Sequence, residues 1–302
     1  MGLFDLEAKF RSGYSRDPVM HEYLSIPDIE SAPAGFLDGG HLWMQEYVTG
    51  RLLRFRMNES GMIDFAGPAK RFDAERIPPH YISAVDTVRE HLDRDRLRSG
   101  TDSVGSYTFF GIVPLQIGVE YAWNRIPAFL GIDIWDGTEG RFAQPDVTER
   151  VFDAIGLQLV PVFEKEVPAR QFNPGTYSVP DSHYGDSTAA GVVLTKKTGQ
   201  KAKVLADSVS SGTTEKTDEG VVDKSDLESA LESVVSIDYL HSHHEDFNGD
   251  LRAVDASELT RHVAADIARR RFSRFRPMLE KHPDAFFQAI EARIRAIRAD
   301  NV

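Results

Sequence analysis

The sequence contains no cysteine, which removes disulfides, thiolate metal sites and cysteine nucleophiles at once. It has no run of about 18 apolar residues, so no segment reads as a membrane-spanning helix. The opening MGLFDLEAKFRSG lacks the basic stretch and apolar core of a secretory signal, and a cytoplasmic location is expected. Three catalytic signatures are missing as well: the GxxxxGK[ST] phosphate loop, the GxSxG elbow and the HExxH zinc motif. Lysine is scarce, with ten residues against twenty-five Arg.

What is present is a chain of 302 residues, 41% hydrophobic and 27% charged, with a net charge of −12. That balance suits a folded protein rather than a disordered one. The acidic, Lys-poor composition resembles that of halophilic cytoplasmic proteins. A negative body repels phosphate, which argues against non-specific nucleic-acid binding but leaves room for a local basic cleft.

The stretch from Ser208 to Asp223, rich in Ser, Thr, Gly and charge, marks a boundary. It divides the chain into a domain over residues 1–208, a linker over 209–224 and a helical domain over 225–302. In the first part, Leu42–Val48, Arg51–Met57 and Met62–Ala66 read as strands of an antiparallel meander. Residues Pro79 to Leu97 have helical spacing. SYTFFGIV, AFLGIDIW, AGVVLT and KAKVLA read as further strands. Lys224–His241, Ala256–Phe275 and Pro283–Asp300 read as helices. The expected class is α+β, with antiparallel sheets and a small C-terminal helical domain. Trp43, Trp123 and Trp135 are expected in the core.

Two clusters invite chemistry. HSHHED, His241 to Asp246, puts His241 and His244 at i, i+3, which could serve a metal; at a helix end the imidazoles also suit the negative end of the dipole, and capping is the preferred reading. The second is LTKKTGQKAKVLA, where Lys196, Lys197, Lys201 and Lys203 place four of the ten lysines within eight positions. On a strand, side chains two residues apart share a face, so Lys201 and Lys203 point the same way. A pair of ammonium groups in a cleft suits phosphate. The alternative is a solvated hairpin turn.

In order along residues 35–208, MQEYVTG, YTFFGIVP, RIPAFLGIDIWD and SHYGDSTAAGVVLTKKTGQKAKV resemble the motifs of ATP-dependent RNA ligases, in the covalent nucleotidyltransferase superfamily. The resemblance implies a nucleotidyltransferase (ATP-grasp-like ligase) fold, ATP and magnesium as cofactors, and RNA ends or nicks as partners. It also implies nucleotide- or phosphate-binding roles for Lys201, Lys203, Gly50 and Glu46. The departures fall on the reactive groups. Tyr47 stands where the family has its adenylated lysine, Thr49 where it has Asp, and Ile112 and Ala190 where it has Glu. Ile132 takes the place of the aromatic that stacks on the base. A phenol is not an amine, and a phosphoramidate cannot form on it.

The expectation is a degenerate, catalytically inactive member that binds RNA ends or nucleotide phosphates and retains no cofactor for catalysis. Two alternatives stay open. One is an active ligase with a non-standard nucleophile, Tyr47 or Lys70. The other is a non-catalytic partner of an active ligase paralogue, or a homo-oligomer, using an apolar face on the tail helices around Leu227, Leu231, Val234 and Val235.

Overall fold

The computed structural model describes residues 20–74, 76–210, 220–242 and 254–300. The chain forms two compact units, one of residues 1–75, 84–114 and 119–214, the other of residues 76–83, 115–118 and 215–302. The division is not a single cut near residue 208, because two short early segments cluster with the C-terminal helices.

In the first unit the strands are β1 (His41–Glu46), β2 (Gly50–Met57), β3 (Ile63–Ala66), β4 (Tyr107–Pro114), β5 (Leu130–Asp136), β6 (Arg141–Phe142), β7 (Val162–Pro168), β8 (Gly191–Lys196) and β9 (Lys201–Leu205). They build two antiparallel sheets, ordered β7-β1-β8-β9 and β3-β2-β4-β5-β6. The expected meander is therefore corrected. β2 and β3 pair, but β1 leaves for the other sheet, and Tyr47 to Thr49 are the crossing between them. Helices α1 (Ile82–His91), α2 (Arg94–Ser99), α3 (Pro145–Ala154) and α4 (Asp207–Ser210) complete the set of this region. The continuous helix expected over Pro79–Leu97 is broken, because Asp93 caps α2 by accepting from the Arg96 amide. Such caps satisfy amides that a continuous helix would bond internally.

The cores of the two sheets follow from strand alternation and aromatic packing. Leu42 and Met44 of β1 pack with Val192, Leu194 and Ala202 beneath the four-stranded sheet. In the five-stranded sheet, Phe55 stacks on Phe109 at 4.8 Å between ring centroids, with Phe129 against Phe55 edge-on. Gly50 has a steric reason: a Cβ there would lie 2.1 Å from the Val113 carbonyl oxygen. The glycine retained from the motif lets β2 start close against β4.

The second unit contains α5 (Leu227–Val234), α6 (Ile237–Ser242), α7 (Ala256–Arg270), α8 (Phe272–Lys281) and α9 (Pro283–Asp300). Asp255 caps α7 by accepting from the Ser257 and Glu258 amides. The helix expected over Ala256–Phe275 breaks at Arg271, whose φ of −132° is not helical. Leu227, Leu231, Val234 and Val235 are all buried in the packing of the chain itself. Among the described residues no helix is long and apolar enough to cross a membrane.

Candidate nucleotide-type cleft

Both sheets of the first unit wall a cavity of about 350 Å³, a volume suited to a small ligand. Gln45 and Glu46 come from β1, Leu52 from β2, Ile112 from β4, Ile132 from β5, Val193 from β8, and Lys201 and Lys203 from β9. Tyr47 and Val48 line it from the crossing strand link, and Tyr23 to Ile26 from a segment that precedes the first strand. The walls are mainly aliphatic.

Six of the residues singled out in the sequence meet there: Glu46, Tyr47, Ile112, Ile132, Lys201 and Lys203. Ala190 does not line the cavity; it is buried, and its carbonyl accepts from the Ala206 amide. Thr49 is turned into the core, where its amide and hydroxyl meet the Tyr121 phenol at 2.8 and 3.1 Å. Burial pushes the Tyr121 phenol up to about 12 despite the bonds from Thr49. Of the cluster from His241 to Asp246, His241 ends α6 exposed, and residues 243–246 lie outside the described residues.

The two cleft lysines share a face, as strand periodicity requires, but not a chemistry. Lys201 is almost buried, with its ammonium 2.9 Å from Asp133 and donating to Thr195 at 3.1 Å. Thr195 in turn donates to Gln45 at 3.4 Å. The network is extended by Tyr23, whose hydroxyl donates at 2.5 Å to the same Asp133 oxygen that Lys201 meets. Burial first, and then the Asp133 charge, hold the Tyr23 phenol well above its ordinary range. Lys203 is more open. Its ammonium lies 3.6 Å from Asp28, which is 57% exposed, and 5.7 Å from the Tyr47 ring centroid. An ammonium over a ring face at that distance is a cation–π contact.

Glu46 is held differently from either lysine. Its carboxylate is buried and accepts from the Ser182 hydroxyl at 2.6 Å and the His183 amide at 3.1 Å, with His183 Nδ1 also at 3.1 Å. Nearby, burial and then the Glu46 charge raise the Tyr184 phenol to about 12. Outside the cavity, Lys197 pairs with Glu166 at 2.9 Å, and Lys196 is buried with its ammonium 5.1 Å from the Phe36 ring. Asp133, Asp28 and Tyr23 are the functional residues that the sequence left unmarked. Among the described residues no group of three or more His, Cys, Asp or Glu is placed to hold a metal ion.

No protein-family model and no curated protein sequence matches the chain. Solved structures of an RNA ligase from Naegleria gruberi do match in fold. A mutant with ATP and Mn superposes with a TM-score of 0.50 at 12% identity, over 69% of this chain and 66% of that one. The complex with PPi gives 0.49 at 12% identity, over 69% and 65%. A further ATP and Mn complex gives 0.47 at 12% identity, over 65% and 58%. The chain spans less than two thirds of the length of these ligases. The fold is shared with that RNA ligase, α+β with antiparallel sheets and C-terminal helices.

Proposed function

We propose that this chain is a ligase-fold binding protein that performs no lysyl-adenylate chemistry and takes the phosphorylated end of an RNA in its cleft. The observation that carries the reading is the state of the amines. Tyr47 occupies the motif position, Lys201 is locked to Asp133, and Lys203 retains only a loose, solvent-facing partner. A nucleophilic amine must be free and neutral at the moment of attack. Lys201 is instead engaged by the Asp133 carboxylate at 2.9 Å and by Thr195, and is not free to attack.

The residues present do not fit a metal-bound triphosphate. The two ammonium groups face carboxylates of the protein itself, and Ile112 and Ala190 offer no oxygen where the family has acids. They suit a smaller anion better. A base can lie against Ile112, Ile132 and Val160, and a single phosphate can displace Asp28 from Lys203. Ion pairs as exposed as Asp28–Lys203 are weak, so the exchange costs little.

The test compares binding of one oligoribonucleotide carrying a 5′-phosphate or a 5′-hydroxyl. The phosphorylated form is expected to bind more tightly, and Lys203→Ala is expected to erase the difference and lower the salt slope by about 0.7. Equal binding of the two ends by the wild type would refute the reading.

A further inference from the structure

Residues 21–28 cross the cleft as a strand-like strap, and its attachments differ from those of the rest of the fold. Met20 and Ile29, at its two ends, are buried. Between them the strap leaves Leu24 81% exposed and Ile26 half-buried. It is held by polar and aromatic pins. The His21 ring stacks on Trp135 at 3.5 Å, and the His21 carbonyl accepts from Arg54 at 3.0 Å. Tyr23 donates to Asp133, the Pro27 carbonyl accepts from the Lys203 amide at 2.9 Å, and the Asp28 carboxylate faces the Lys203 ammonium.

One of these pins lands on the group that would receive an anion, and another on the ion pair beneath it. Asp28 stands on Lys203, and Tyr23 braces the carboxylate that neutralises Lys201. Tyr23, Leu24, Ser25 and Ile26 also fill one side of the cavity. We propose that residues 21–28 are an autoinhibitory strap, an internal stand-in for the ligand, which must leave the cleft before a phosphate-bearing ligand can reach Lys203. This rests on the reading of the cleft as a site for a phosphorylated RNA end. A segment with buried ends and an exposed middle, held between them by the His21 and Tyr23 rings, is suited to local opening below the global unfolding free energy.

The strap and the ligand then compete, and binding to the closed protein is weakened by the fraction that is open. Removing pins that carry no charge should raise affinity without touching either lysine. The experiment uses the full chain, a 5′-phosphorylated oligoribonucleotide and the variants Tyr23→Phe, His21→Ala and their combination, at pH 8. Hydrogen exchange of residues 21–28 reads the strap, and the dissociation constant reads the cleft.

The double variant should exchange faster over 21–28 and bind the RNA more tightly, by roughly tenfold if the open form is about a tenth of the wild type. In the wild type, saturating RNA should accelerate exchange in the same peptide. Slower exchange on binding would make the segment a clamp over the ligand and overturn the proposal. Faster exchange in the variant with Lys203-dependent binding unchanged would overturn the strap while leaving the reading of the cleft intact. Absence of Lys203-dependent binding in both wild type and opened variant would overturn both.

Discussion

The floor and the rim of one cleft use the same residue type under opposite conditions. At the floor, Lys201 and Asp133 are 10% and 5% exposed and are tied into Thr195, Gln45 and Tyr23. At the rim, Lys203 and Asp28 are 22% and 57% exposed, and 3.6 Å apart. Two residues of spacing separate a structural cation from an available one. A buried pair is costly to break because one charge is left unpaired in a dry site, whereas an exposed pair is exchanged for water. The floor therefore joins the two sheets, β9 to β5, and the rim keeps the more exposed and looser pair.

The sharpest way to break this contrast is Asp133→Ala. It strands Lys201 in the floor, and a loss of about 3–5 kcal/mol in unfolding free energy is expected by denaturant titration. Gly50→Ala ranks next. Its methyl would meet the Val113 carbonyl oxygen at 2.1 Å, and overpacking of this kind costs about 1–3 kcal/mol. Lys203→Ala should cost under about 1 kcal/mol of stability, since its partner is exposed, while removing phosphate-dependent binding. A loss as large as that of Asp133→Ala would show that rim and floor are one network.

The smallest effect is a pH response of the strap. Burial lowers the His21 imidazole below its ordinary value, with Glu22 opposing and Arg54 adding to the shift. Its ring faces Trp135 and Phe142, and its amide donates to Thr108. The folded form thus holds His21 neutral more strongly than the unfolded chain does. Its contribution is present above the ordinary histidine pKa of about 6.5 and is lost as pH falls below it. Protection of residues 21–28, taken relative to the intrinsic exchange rate at each pH, should fall as pH drops below about 6.5, and His21→Ala should flatten that response.

Strand positions were legible because apolar runs bounded by glycine fix where a strand can form. Period-two alternation also placed Lys201 and Lys203 on one face correctly. Pairing was not legible: nothing local in Leu42–Met57 tells β1 to join β8 rather than β2. The counter-ions were hidden for the same reason. Asp133 lies 68 residues before Lys201 in the sequence, and Asp28 lies 175 before Lys203. A run of lysines announces charge, but whether that charge is free depends on carboxylates brought in by the fold. Ile112 and Ile132 were legible as apolar strand residues; that they would form one wall of a shared cavity was legible only once both sheets were in place.

The central claim is that the fold is kept while the amine chemistry is not, and transfer of label from ATP to the protein tests it most directly. Wild type and Tyr47→Lys are incubated with α-labelled ATP and magnesium or manganese, then run on a denaturing gel. No covalent label is expected on the wild type. Little is expected on Tyr47→Lys either, since Ile112, which lines the cleft with it, offers no carboxylate to orient the new amine, and preorganised electrostatics is commonly the largest catalytic contribution. A lysine-linked label on the wild type would contradict the claim outright, and strong labelling of Tyr47→Lys alone would show the remaining pocket to be intact.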